Sequence, residues 1–169
     1  MKNTLFAAAA AAALFVSAPA FAQDASNIDW YGNLGYSFYD TDIGDAQLGA
    51  VQGRIGARFH PNFGIEGEAA FGVQDDDVAG VNVELDHSVA IYGVGFLPVS
   101  DNFDLLARVG YGSTKVSAGS FSDSDDSLNY GVGAQWSWDQ SNAIRGDYTR
   151  FDGDSAEADV WSVSYVRKF

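Results

Sequence analysis

The chain has 169 residues, no cysteine, and 9 Lys+Arg against 23 Asp+Glu, for a formal net charge of −14. That length suits one domain. The acidity argues against a nucleic-acid partner, whose phosphates would be repelled, and the missing cysteines remove both a disulfide scaffold and a thiolate metal site.

Residues 1–22 come first. Lys2 precedes an apolar run from Leu5 to Val16, and Ala20-Phe21-Ala22 ends it with the small-x-small pattern that signal peptidase accepts. The run is shorter than the roughly 20 residues a membrane helix needs, and Pro19 and the polar Gln23-Asp24 follow it. The expectation is a signal peptide over 1–22 and a mature domain over 23–169.

From Trp30 onward one phrase recurs: about ten residues alternating with period two, then a turn or an acidic stretch. The first sets Trp30, Leu34, Tyr36 and Phe38 against Tyr31, Asn33, Gly35, Ser37 and Tyr39. The second sets Val51, Ile55, Ala57 and Phe59 against Gln52, Arg54, Gly56 and Arg58; the third sets Phe63, Ile65, Ala69, Phe71 and Val73 against Glu66 and Glu68. The fourth, Val83 to Leu97, breaks the rule. Val83, Leu85, Val89 and Ile91 share one side while Tyr92, Val94 and Phe96 share the other, which predicts a bulge near Ala90.

The fifth phrase opposes Leu105, Ala107, Val109 and Tyr111 to Asp104, Arg108 and Gly110. The sixth opposes Tyr130, Val132, Ala134, Trp136 and Trp138 to Asn129, Gly131, Gln135 and Ser137. In the seventh, Ile144 and Tyr148 face away from Arg145 and Asp147. In the eighth, Trp161, Val163, Tyr165 and Phe169 face away from Ser162, Ser164 and Lys168.

The connections alternate in kind. His60-Pro61-Asn62, Pro98–Asn102 and Asp139–Asn142 read as short turns. The stretches 40–47, 74–82, 117–127 and 152–158 read as longer loops, each with three acidic residues and no Lys or Arg.

Period two cannot say whether the apolar face meets a core or lipid, so a soluble sandwich or lipocalin-like barrel competes. The polar face carries closely spaced charges of both signs: Arg54, Arg58, Glu66, Glu68, Asp104, Arg108, Arg145 and Asp147. Such a set suits a narrow lumen in which opposite charges pair. Trp, Tyr and Phe crowd the strand ends of the apolar face, as interfacial girdles do. Short turns alternating with long loops suit a spanning barrel, with the short turns in the periplasm and the acidic loops outside. In hydrocarbon an open sheet edge is costly, so first and last strands must meet. The predicted fold is all-β: an eight-stranded antiparallel transmembrane β-barrel in the outer membrane.

The last segment, Val160-Trp161-Ser162-Val163-Ser164-Tyr165-Val166-Arg167-Lys168-Phe169, alternates and ends on an aromatic carboxylate. Together with Leu106-Ala107-Arg108-Val109-Gly110-Tyr111-Gly112 and Asn129-Tyr130-Gly131-Val132-Gly133, it makes the mature chain resemble the small OmpA/OmpX-like outer-membrane β-barrel family (outer membrane protein beta-barrel domain). The resemblance implies that Trp161, Val163, Tyr165 and Phe169 serve as the C-terminal signal read by the barrel assembly machinery. Arg167 departs from that pattern and is expected to snorkel to the interface. Unlike full-length OmpA, the chain is expected to carry no cell-wall-binding domain after its last strand, so wall anchoring is not implied.

Catalytic material is thin. His60 sits in a turn, and His87 and Ser88 are adjacent on a strand, so they face opposite ways and cannot act as base and nucleophile on each other. Asp75-Asp76-Asp77 and Asp123, Asp125 and Asp126 lack any recognised calcium-loop spacing. The expectation is no enzyme, cofactor or metal, and a monomer whose partners are outer-membrane lipid and lipopolysaccharide. Its role is read as structural or surface-interacting, with a sealed lumen, since eight strands leave a bore that side chains just fill. The alternatives are a narrow porin-like channel and a lipid-modifying enzyme.

Overall fold

The computed structural model describes residues 28–41, 47–74, 76–78, 81–118, 121–153 and 157–169. The expected signal peptide lies outside the described residues. Nine strands follow in chain order: β1 Asp29–Thr41, β2 Gln47–His60, β3 Phe63–Gln74, β4 Asp76–Val78, β5 Val81–Ser100, β6 Phe103–Ala118, β7 Phe121–Ser137, β8 Asn142–Gly153 and β9 Glu157–Lys168. Every pairing is antiparallel, each long strand against its sequence neighbour. Two further ladders, β1–β9 and β3–β5, complete a ring, and β4 pairs with β5 alone. Eight strands thus close into an antiparallel barrel.

The alternation decides the two faces. Ile91, Val132, Trp161 and Phe63 are 57–62% exposed on the outer wall, whereas Arg145 and Glu66 are at most 1% exposed inside. The greasy side of the sheet is therefore its exterior.

Along the short-turn rim, successive hairpins are latched together. Asn62 accepts the Phe96 N–H (2.8 Å) on its backbone carbonyl, and its side-chain amide donates to Phe96 O (3.0 Å). Asn102 repeats both bonds with Ser137, at 2.8 and 2.9 Å. Ser141 O accepts from Lys168 N (2.8 Å), and Phe169 N donates to Trp30 O (2.9 Å) across the closing seam. Asp139 folds the last of these turns by accepting from Ser141 N (2.8 Å) and Asn142 N (2.7 Å). These bonds, led by the Asn142 side-chain amide, hold its carboxyl below the usual carboxylate range.

Two expectations are corrected. The irregularity in the fourth phrase lies at Asp86, where the register with β6 shifts between Leu85 and His87; Ala90 pairs regularly with Glu68 and Gly112. The bulge turns Leu85 inward while Val89 and Ile91 stay outward, and Ser117 Oγ donates to the Asp86 carboxylate at 2.9 Å. Tyr92, Val94 and Phe96 point inward without any bulge of their own, because the bore also needs apolar filling.

The second correction concerns the loops. The stretch expected as loop 117–127 is mostly ladder, since β6 and β7 pair through to Ala118 and Phe121; within 74–82, β4 pairs with the start of β5. Asp76, Asp77, Asp123, Asp125 and Asp126 therefore sit on strands, while Asp75 lies outside the described residues. Ladder bonds are made by the backbone, so acidic side chains interrupt neither ladder. β5, β6 and β7 run to 20, 16 and 17 residues, against 12–14 for the other ring strands, giving the barrel one tall side.

Candidate functional site

The inside of the barrel is the site the sequence singled out. β2 supplies Arg54, β3 supplies Glu66 and Glu68, β6 supplies Arg108, and β8 supplies Arg145 and Asp147. Each occupies an inward position of its strand, and all are 8% exposed or less. Arg54 Nε binds Glu68 Oε2 at 2.6 Å and its Nη1 binds Asp147 Oδ2 at 2.6 Å. Arg108 Nη2 reaches the same Glu68 oxygen at 2.7 Å, and Arg145 bridges Glu66 and, at 2.8 Å, Asp147 Oδ1.

Three guanidinium groups thus meet three carboxylates and cancel. Burying an unpaired charge costs several kcal/mol, and a closed network with supporting hydrogen bonds offsets that cost. The support is present. Tyr31 OH donates to Glu66 Oε1 (2.7 Å), Tyr92 OH to Glu68 Oε1 (3.4 Å) and Asn129 Nδ2 to Tyr92 OH (3.2 Å); Arg54 Nη2 also reaches Gln52 and Ser162 at 3.3 and 3.2 Å. The Arg108 guanidinium carbon lies 3.6 Å from the Tyr92 ring centroid, in cation–π geometry.

Arg58 and Asp104 stand apart from these six. They pair with each other at 3.5 Å near the short-turn rim, where Arg58 also donates to Pro61 O and covers the Phe96 ring at 4.3 Å.

Two apolar clusters bracket the ionic layer. On the short-turn side Tyr31, Tyr92, Val94, Phe96, Leu106, Ala143 and Val166 pack together, with the Tyr31 and Phe96 rings edge to face at 6.3 Å. On the long-loop side the cluster is Tyr39, Leu48, Ala50, Ala70, Leu85, Phe151 and Val160, with Tyr39 and Phe151 edge to face at 5.8 Å. Tyr31 and Tyr92 belong to a plug by their rings and to the ionic layer by their hydroxyls. A Cβ at Gly56 would run into the Tyr31 ring, so the glycine is what lets that ring lie flat against the wall.

Sequence reasoning missed the plugs, although a signal existed. Leu48, Ala50, Ala70, Leu106 and Phe151 keep the parity of the buried charged residues on their own strands, and Tyr39 and Val160 that of the inward Asn33, Ser37, Ser162 and Ser164 on theirs.

The remaining candidates disperse. Trp161, Val163 and Tyr165 are exposed on the outer wall, and Phe169, just past β9, is exposed at the short-turn rim. Arg167 bends to the rim, where its Nη1 donates to Asn142 Oδ1 at 2.9 Å. His60 Nδ1 accepts the Asn62 N–H (3.2 Å) within its turn, while His87 is exposed and Ser88 buried, on opposite faces. Among the described residues no group of three or more His, Cys, Asp or Glu is placed to hold a metal ion.

A closed ring of antiparallel strands, apolar outside and ion-paired within, defines an outer-membrane β-barrel. The family model of the outer membrane protein beta-barrel domain matches residues 8–169, and the chain belongs to that family. Similar solved structures include Ail, the attachment invasion locus protein of Yersinia pestis, at 19% identity and TM-score 0.60, covering 85% of this chain and 99% of that one. The N-terminal β-barrel domain of Pseudomonas aeruginosa OprF follows at 10% identity and TM-score 0.61 (85% and 98%), and Neisserial surface protein A at 13% and 0.57 (85% and 98%). Among curated proteins none matches the chain by sequence. Membership of this family places the protein in the cell outer membrane.

Proposed function

We propose that the protein is a sealed outer-membrane barrel with a structural and surface-interaction role, holding acidic connections at the cell surface to support envelope integrity or adhesion. One observation carries this reading. Two apolar clusters lie on either side of a charge-balanced layer whose guanidinium and carboxylate groups are all buried and paired with one another, which supports a closed bore over an open solute path. The acidic stretches on the long-loop rim supply the chemistry of the surface: they favour cationic or cation-bridged partners. Ail has been solved with the heparin analogue sucrose octasulfate, and a polyanion of that kind would be repelled by the rim of this chain.

Planar-bilayer recording of the barrel, with insertion verified by heat-modifiable gel mobility, is expected to give a flat trace. Steady single-channel steps would replace this reading with a narrow solute pore. On whole cells, loss of the protein should alter sensitivity to cationic agents or attachment to surfaces; no change in either removes the surface role.

A further inference from the structure

The outer wall has a dent. Ala134 on β7 and Gly146 on β8 are directly opposite partners, and both face outward. They bring a single methyl group to their own row of the wall. The flanks of their row are Leu105 and Val163. One register step toward the long-loop rim stand Val132, Tyr148 and Trp161, the last two with ring centroids 4.7 Å apart. One step the other way stand Trp136, Ile144 and Tyr165. The outcome is a concavity of about 620 Å³ with an almost wholly apolar lining, open to the outside of the barrel.

We infer that this dent is a binding site for one acyl chain of an outer-membrane lipid, seated on Ala134 and Gly146 and walled by Trp161 and Tyr148. The location selects the occupant. The wall faces hydrocarbon, so whatever fills the dent comes from the membrane. A lining with almost no polar surface asks nothing of a head group. A second barrel is convex and would meet this wall along a ridge, leaving the hollow unfilled, whereas a flexible chain can follow it. Lipid tails are as apolar as the wall, so the preference comes from dispersion contacts that an unfilled hollow would forfeit. Trp161 and Tyr148 offer flat, stiff faces for those contacts.

The test fills the hollow from within. A Cβ at Gly146 meets nothing nearer than Ser162 O at 3.9 Å, so Gly146→Leu enters without displacing the wall; Gly67→Leu, whose Cβ would lie 3.9 Å from Ile55 Cγ2, is the control on another outward face. The barrels are placed in phosphatidylethanolamine and phosphatidylglycerol vesicles, with a small fraction of the phosphatidylethanolamine carrying a brominated acyl chain. The emission of Trp161 is isolated by subtracting a Trp161→Phe variant from each. Quenching is expected to be at least about twofold stronger for wild type and Gly67→Leu than for Gly146→Leu, a modest affinity difference. Equal quenching in all three overturns the site. So does a wild-type dimer in vesicles that Gly146→Leu abolishes, since a second copy would then be the occupant. Ala134→Leu reads the same hollow should Gly146→Leu fail the gel-mobility check.

Discussion

The ionic layer and the plugs occupy the same inward positions of the same strands and close the bore by opposite means. The layer is directional: Arg54 fits only between Glu68 and Asp147, and Arg145 only between Glu66 and Asp147. The plugs are not; Tyr39, Leu48, Leu85 and Phe151 need only shape and dryness. An apolar plug can be repacked by another hydrophobe of similar volume, whereas a charge network tolerates no missing member. The middle of the bore therefore dictates which strands sit across from one another, and the ends keep water from it.

That contrast breaks most sharply at Arg145. Replacement by Ala leaves Glu66 and Asp147 each short of a guanidinium in a dry bore, and the expected loss is about 3–5 kcal/mol of unfolding free energy, or failure to fold. Urea titration of the barrel in micelles, followed by gel mobility, reads it; a loss as small as that of a surface variant would mean the layer is hydrated and dispensable.

A plug should give somewhat less. Phe96→Ala removes a buried ring that packs against Tyr31 and lies beneath Arg58, at an expected cost of about 3 kcal/mol, while Phe96→Leu restores most of it. If Leu fails to rescue, the ring is needed for its cation–π contact rather than its volume. The smallest effect belongs to the rim. Asp139→Ala removes the acceptor that folds one short turn and should lower the midpoint less than either interior change. Because the Asp139 carboxyl titrates below its usual range when folded, its contribution is present at neutral pH and lost as pH falls through that depressed value. A wild-type minus Asp139→Ala difference that grows toward acid would contradict this.

Strand count was legible from the eight recurring phrases, closure from the cost of an open edge in hydrocarbon, and the outside face from alternation combined with the paired charges on one side of it: Trp136, Val163 and Phe71 against Arg58 and Glu66. What lies at which height inside was not. Period two assigns a side chain to a face but not to a level, and levels depend on register, which is fixed only when β1 meets β9 and β3 meets β5. That is why Arg58 and Asp104 read as members of one network with Arg145, though the structure sets them apart at the rim. The Asp86 bulge carried no glycine or proline to announce it, and the three inward apolar residues that follow drew the expected break toward Ala90. The acidic run from Asp123 to Asp126 read as loop because its composition is that of a loop. Ladder hydrogen bonds are made by backbone, so a run of aspartates can extend a ladder.

The latches along the short-turn rim make the wall asymmetric in how it can come apart. At that rim every hairpin is tied to the next by bonds lying outside the strand ladders, and the final amide, Phe169 N, is fastened across the seam to Trp30. A crack started there between β3 and β5, β6 and β7, β8 and β9, or β9 and β1 must break a latch before the first ladder bond yields. The backbone amides next to these latches should exchange slowly with solvent.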